Sequence, residues 1–377
     1  MIEPFDPEKI AIVHDWMTSM RGGEKCLELF CELFPQATLF SLFHAKGKLS
    51  PVIEKMKIKL SFLQNIPGIT HYYRYLLPLF PIAIESLKLP PVKIIISSSH
   101  CVAKGVIPPK GAFHLCYCFT PMRYIWDMYE VYFKKDHNFF VSKFSNLFVN
   151  YLRKWDIKSA SRVDHFVAIS RYVAKRIKRI YNRDADVIYP PVNTDFYQPD
   201  YSKKREDFFF TAGAFAPYKR TDLIIKAFNR LGFPLKIIGT GQEKRRLKNM
   251  AKPNIEFLGW QPDEVVRKYY QRCRAFVFAG EEEFGITLVE AQATGAPVIA
   301  FGKGGAAEIV IPINNSSQKE ATGVLFYEQK ESSITDAINY FIANEDKFMP
   351  DTIRKNALRF NKDRFKNEIT NLIRNII

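Results

Sequence analysis

The chain has 377 residues, 47% of them apolar and 25% charged, which excludes a disordered or fibrous protein and is too long for one ordinary core. Two domains of roughly 100–200 residues are therefore expected. The net charge of +16 is uneven, with 27 basic and 16 acidic side chains in residues 1–190 against 28 and 23 in residues 191–377, so the first half is the one expected to meet a polyanion, a phospholipid surface or nucleic acid.

The N-terminal MIEPFDPEKIAIVHDW runs through acids and prolines into an apolar strand and lacks the basic-then-apolar layout of a secretion signal. With no run of about 18 apolar residues, a cytoplasmic protein without a spanning helix is expected. Apolar β-rich runs then alternate with helix-like segments, the pattern of βα units around a parallel sheet. In the first half the strands are predicted at 10–13, 38–42, 93–97, 115–119 and 165–169. The first ends at His14 and Asp15, where the histidine suits a structural role or an acceptor contact equally, and leads through HDWMTSMRGGEK to the pair Gly22 and Gly23. The third ends in Ser97, Ser98, Ser99 and His100. Residues 71–81 (HYYRYLLPLFP) and 122–135 (MRYIWDMYEVYFKK) interleave aromatics with cations. That suits either a polyprenyl-diphosphate sugar at a membrane surface or core aromatics beneath a solvated basic face. Six cysteines (Cys26, Cys31, Cys101, Cys116, Cys118, Cys273) show no CxxC pairing and are expected as free thiols.

Pro190 and Pro191 fix an extended segment that is predicted to join two doubly wound sheets, residues 1–190 and 191–359, facing one another across a cleft. In the second half strands are predicted at 208–212, 235–238, 255–258, 275–278, 298–300 and 324–326. The loop GAFAPYKR after the first of these delivers Lys219 and Arg220 to the carboxyl edge of the sheet, where a diphosphate needs neutralising. The next strand ends in Gly239, Thr240 and Gly241, a turn that permits close backbone approach. Residues 281–308, EEEFGITLVEAQATGAPVIAFGKGGAAE, carry the most chemistry. Glu282 and Glu290 flank Phe284 and Gly285 across a helix start, and a strand, Gly304, Gly305 and Glu308 follow. Free amides at the helix start suit phosphate and the carboxylates suit sugar hydroxyls, so a nucleotide sugar is the expected ligand. Residues 360–377 read as an amphipathic helix, packed either back onto the first domain or onto its own.

Taken in order and spacing, GAFAPYKRTDL, IGTGQE, IEFLGW, the EEEFGITLVEA run and GGAAE resemble the donor domain of the retaining family 4 glycosyltransferases of GT-B fold. HDWMTSMRGGEK, ISSSHCVAKG and CYCFTPMRYIWD extend the resemblance through the first half, toward the bacterial mannosyltransferase-like branch that builds O-antigen or exopolysaccharide. It implies an α/β protein of two Rossmann-like domains, the first binding acceptor and the second a nucleotide sugar. The implied reaction moves a hexose, mannose from GDP-mannose, to a lipid-linked or polysaccharide acceptor at the inner face of the cytoplasmic membrane. The implied roles are Glu282 on hexose hydroxyls, Glu290 on ribose hydroxyls, Lys219 on the diphosphate, and amides near Gly285, Ile286 and Thr287 on the same phosphates. Gly22 and Gly23 form a loop facing the phosphates, His100 meets the donor sugar, and Gly239, Gly241 and Arg220 complete the donor site. Ala214 stands where the family commonly has an arginine, leaving Arg220 or Arg21 to compensate. No metal and no cofactor are expected, in keeping with the lack of a DxD-like pair after an apolar strand, and no nucleic-acid partner. A nucleotide-sugar epimerase of the same fold and a nucleic-acid-binding protein are the alternatives.

Overall fold

The computed structural model describes residues 9–127, 139–313 and 320–376. The first residues of the N-terminal segment and residues 128–135 of the second aromatic-basic segment lie outside the described residues. Two compact units divide the chain, Met1–Tyr189 and Pro190–Ile377.

The first unit holds a seven-stranded parallel sheet: β1 (Ile10–His14), β2 (Thr38–Ser41), β3 (Lys57–Leu60), β4 (Ile94–Ser99), β5 (Phe113–Cys118), β6 (His165–Ala168) and β7 (Asp186–Val187). Its strand order is β3-β2-β1-β4-β5-β6-β7. The second holds six parallel strands: β8 (Phe209–Ala212), β9 (Leu235–Ile238), β10 (Ile255–Gly259), β11 (Phe276–Phe278), β12 (Val298–Phe301) and β13 (Gly323–Phe326), in the order β10-β9-β8-β11-β12-β13. Both are doubly wound sheets, as the GT-B class requires. The order reverses between β1 and β4 in one and between β8 and β11 in the other, and ligands of such sheets bind beyond the strands' carboxyl ends at that reversal.

The central strands read as short apolar runs because both faces are covered: every residue of β1 and of β4 is buried. Two strands escape prediction, β3 and β7, and both are sheet edges. β3 reads KIKL with its lysines exposed, the charged alternation that blunts an open edge, and β7 has only two residues. Helices cover the sheets through amphipathic stripes. Gly22–Leu33 buries Cys26, Leu27, Leu29 and Phe30, and Lys362–Ile376 buries Phe365, Ile369 and Ile373 at intervals of one turn. The latter helix falls within the second compact unit. In that unit's core Phe209 meets Phe228 edge-on at 5.2 Å and Phe341 at 6.0 Å, and truncating one such ring to alanine costs about 3–5 kcal/mol. All six cysteines are buried thiols.

The aromatic-basic segment 71–81 splits between its two readings. Tyr73, Leu77 and Phe80 are buried, and Trp16 lies 5.3 Å from Tyr73 and 5.5 Å from Phe80. Tyr75 and Leu79 instead face solvent, with exposures of 84% and 38%, as does Ile82 just beyond the segment, at 54%. Among the described residues no helix is long and apolar enough to cross a membrane.

Candidate functional site

At the reversal point of the second sheet, two loops bring opposite charges together. The loop after β8 closes in a tight turn, Pro217–Lys219, and Arg220 adopts a left-handed backbone with φ 53° before the helix Thr221–Leu231 begins. The loop after β11 carries Gly280, where an added Cβ would stand 3.1 Å from the Lys219 Cα, so the absence of a side chain lets the loops abut. Lys219 Nζ thereby reaches Glu282 Oε1 at 2.6 Å, over the Phe278 ring at 5.2 Å, with both side chains less than one-fifth exposed. Burial alone would depress the Lys219 ammonium, and the Glu282 carboxylate outweighs it, holding the lysine above its ordinary value.

Glu282 is itself held by the glycine pair after β12. Its backbone forms a parallel bridge with Gly304 and accepts the Gly305 N–H at 2.8 Å. A Cβ at Gly304 would fall 2.3 Å from the Glu282 carbonyl oxygen, and one at Gly305 would fall 2.0 Å from that of Phe284. Gly285, at φ 105°, caps the helix Ile286–Ala293, which has no side-chain cap and no acid in its first turn. An uncapped helix start of this kind favours an anion, with the positive end of the peptide dipoles behind it. Ile286 and Thr287 stand in that turn, four and five residues after Glu282.

Glu290 lies deeper in the same helix, 5% exposed, and Tyr197 hydrogen-bonds its carboxylate. Burial and then the Glu290 charge push the Tyr197 phenol far above its ordinary value. Tyr197 is a partner that nothing in the sequence pattern marks. Arg220 is tied to Asp222, Nε to Oδ1 at 3.3 Å, and Ala214 is exposed. Glu281 pairs loosely with Lys303 at 3.7 Å, and the Glu308 carbonyl accepts from Arg359.

Gly239 and Gly241 have a local explanation. A Cβ at Gly239 would meet the Gly213 carbonyl oxygen at 2.0 Å, and one at Gly241 would meet that of Phe215 at 2.6 Å. These glycines let the loop after β9 cross the loop after β8, so the close approach they permit is to the chain itself.

The reversal point of the first sheet gathers His14, Asp15 and His100. Asp15, wholly buried one residue beyond β1, accepts the His100 Nδ1 at 2.8 Å. Burial would raise the Asp15 carboxyl, but His100 overrides this and holds it at about 2. Burial would correspondingly lower His100, and Asp15 overrides it and raises the imidazole above 6.5. His14 is buried and lowered to about 4, chiefly by desolvation, with Nδ1 3.2 Å from Ser98 Oγ. It is wholly buried at the carboxyl end of the central strand β1, which favours its structural role.

Gly22 and Gly23 do not form a loop: they are the first two residues of the helix Gly22–Leu33. The run after Arg21 is helical because Glu24 turns back to accept the Arg21 N–H at 3.1 Å, closing the first turn. Arg21 Nε donates to Ser19 Oγ at 3.2 Å. A Cβ on Gly23 would meet His14 and Phe119 only at 3.7 Å, an ordinary contact, so the fold itself does not demand glycine there.

Comparison with known proteins bears on the second unit most directly. The chain is 29% identical over 204 residues to an uncharacterized glycosyltransferase of Methanocaldococcus jannaschii, covering 53% of this chain and 55% of that one. It is 27% identical over 148 residues to the O-antigen chain mannosyltransferase C of Escherichia coli, covering 37% and 38%. The chain thus spans about half or less of the length of these curated relatives. Among solved structures, Anabaena HepE in complex with UDP superposes over 97% of this chain and 100% of its own, with a TM-score of 0.70 at 16% identity, a likeness of fold. Residues 193–360, the region that carries Lys219, Glu282 and Glu290, match the family described as Glycosyl transferases group 1.

Proposed function

We propose that the protein is a retaining hexosyltransferase that takes a sugar, mannose from GDP-mannose, from a nucleotide-diphosphate donor. The observation that carries this reading is the Lys219–Glu282 pair beside the uncapped start of the helix Ile286–Ala293. A cation and free amides serve the diphosphate, and a carboxylate fixed by its own backbone serves sugar hydroxyls. In the free protein the two side chains satisfy one another. On donor binding Lys219 turns its ammonium to the phosphates and Glu282 turns its carboxylate to the hexose.

Charge builds on the leaving diphosphate as the C1–oxygen bond breaks, so donors already aimed at it lower the barrier most. The acceptor hydroxyl attacks from the same face, and its proton passes to the departing diphosphate oxygen. Lys219 and the amides of Ile286 and Thr287 supply the stabilisation in this scheme, with no metal in the step. Glu290 serves the ribose hydroxyls by exchanging the Tyr197 hydroxyl for them. The mannosyltransferase relative favours mannose.

The acceptor in this proposal is lipid-linked, in cell-surface glycan synthesis. The basic first half and the exposed Tyr75, Leu79 and Ile82 support an approach to an anionic membrane face. Incubation with GDP-mannose, UDP-glucose and their diphosphates, with and without a polyprenyl-diphosphate sugar, tests the whole reading. Transfer with retained anomeric configuration, unaffected by chelator, is expected. An isomerised nucleotide sugar from donor alone would replace it with an epimerase.

A further inference from the structure

The turn after β4 is where a doubly wound sheet usually offers its backbone amides to a ligand. Here those amides are already taken. Asp15 Oδ2 accepts the N–H groups of His100 at 2.6 Å and Cys101 at 3.0 Å, and Oδ1 accepts those of Val102 at 2.6 Å and Ala103 at 2.7 Å. With the His100 ring, one buried carboxylate receives five donors. The far end of the same turn is fixed as firmly. Lys104 is buried with Nζ 2.8 Å from Asp156 Oδ1 and 2.6 Å from Ser159 Oγ. A Cβ on Gly105 would strike the Trp155 ring at 2.4 Å.

An anion built into the protein thus fills the nest that a bound phosphate would otherwise fill, and what remains for a ligand at this turn is the imidazole of His100. Its ring is pinned by Nδ1 to Asp15 and packs 4.5 Å from Trp16 and 6.4 Å from Phe119, yet the side chain keeps 27% exposure. The charged or titratable groups around it are Asp15 and His14 at the end of β1, and Arg21 and Glu24 at the start of the helix Gly22–Leu33.

We propose that Asp15 is a positioning residue for His100: it fixes the turn and the ring together, so that Nε2 is the nitrogen a substrate oxygen meets. Because the carboxylate accepts Nδ1–H in either protonation state, titration of His100 changes only Nε2. The imidazolium donates from Nε2 to a hydroxyl or an anionic oxygen, and the neutral ring can only accept there. Asp15 favours the charged form, so the donor state persists to higher pH than for a free histidine. The contact is then lost as pH rises through the His100 value. The consequence for turnover rests on the glycosyltransferase reading; the geometry does not.

Nitrogen-15 NMR of histidine-labelled protein, with His100→Gln supplying the assignment, tests both parts without requiring activity. The expected result is a proton on Nδ1 throughout and a His100 titration above 6.5. In Asp15→Asn the titration moves down by about 1–3 pH units, and the alkaline limb of sugar transfer moves with it. Should Asp15→Asn not fold, the wild-type spectrum decides alone. A wild-type His100 that titrates at or below 6.5, or carries its neutral proton on Nε2, overturns the proposal, as does a folded Asp15→Asn with an unmoved limb. If no nucleotide sugar is turned over at all, the transferase reading fails while the NMR result still settles the role of Asp15.

Discussion

Lys219 Nζ lies 2.6 Å from Glu282 Oε1, on loops that leave adjacent strands at the reversal point of the second sheet. Each side chain neutralises the other in the free protein, and under the proposed function each is the group that a nucleotide sugar recruits. In the proposed scheme this ion pair is a resting state that the donor breaks.

Replacing either partner should therefore affect function more than fold. Lys219→Ala and Glu282→Ala are each expected to lower transfer by about 10²–10³, the scale of removing one pre-aimed donor at a developing charge. Circular dichroism should show a native fold in both. Turnover close to wild type in the two variants would contradict the assigned roles.

The glycines divide into two kinds, and alanine substitution should separate them. Gly305→Ala forces a Cβ to within 2.0 Å of the Phe284 carbonyl oxygen, so the loop carrying Glu282 must shift and both melting temperature and donor affinity should fall. Gly23→Ala makes only an ordinary 3.7 Å contact in the first turn of a helix, where alanine is favoured over glycine by about 0.4–1 kcal/mol. It should melt at or above the wild-type temperature. If phosphate approaches that turn, donor affinity nevertheless drops, and isothermal titration reads the two effects apart.

Most of this fold is legible in the sequence because its central strands are short apolar runs with turn residues on either side. β3 and β7 are not, since β3 alternates exposed lysines with half-buried apolar residues and β7 has only two residues. The acids and glycines of residues 281–308 are legible as a unit, because their spacing is set by one strand-loop-helix geometry. What stays hidden is pairing between distant segments. Tyr197 reaches Glu290, and Gly239 meets the Gly213 carbonyl oxygen, through contacts that only the folded chain creates. Asp15 is visible as an acid after an apolar strand, but its five donors come from the turn after β4.

Acid should destabilise the first unit in a defined window. His14 and His114 are both buried and lowered to about 4, His114 with Nε2 2.8 Å from Ser97 Oγ and Nδ1 2.9 Å from the Arg162 carbonyl oxygen. Their folded values lie below that of the unfolded chain, so the unfolded state binds more protons, and stability is lost as pH falls from 6.5 toward 4. The loss is about 3 kcal/mol for each histidine. Asp15, held at about 2, adds a further loss below pH 4. His100 has the opposite sign: its contribution is present below 6.5 and lost as pH rises through its raised value. Urea midpoints across this range should fall on the acid side, and His114→Gln should flatten the fall.

The exposed ridge of Tyr75, Leu79 and Ile82 gives the membrane proposal a direct handle. Co-sedimentation with vesicles containing anionic lipid is expected for the wild type, weakening with added salt. Tyr75→Ser with Ile82→Ser should reduce it without lowering the melting temperature. Equal binding to neutral and anionic vesicles would remove the electrostatic part of the proposal.

The most direct test of the donor site is calorimetric binding of a nucleoside diphosphate and of its sugar to the wild type, Lys219→Ala and Glu282→Gln. The account predicts that Lys219→Ala loses affinity for both ligands, because both carry the diphosphate. Glu282→Gln should bind the diphosphate as before yet lose the extra affinity conferred by the hexose. Undiminished binding of both ligands to Lys219→Ala, or an unchanged preference for the sugar in Glu282→Gln, would contradict it.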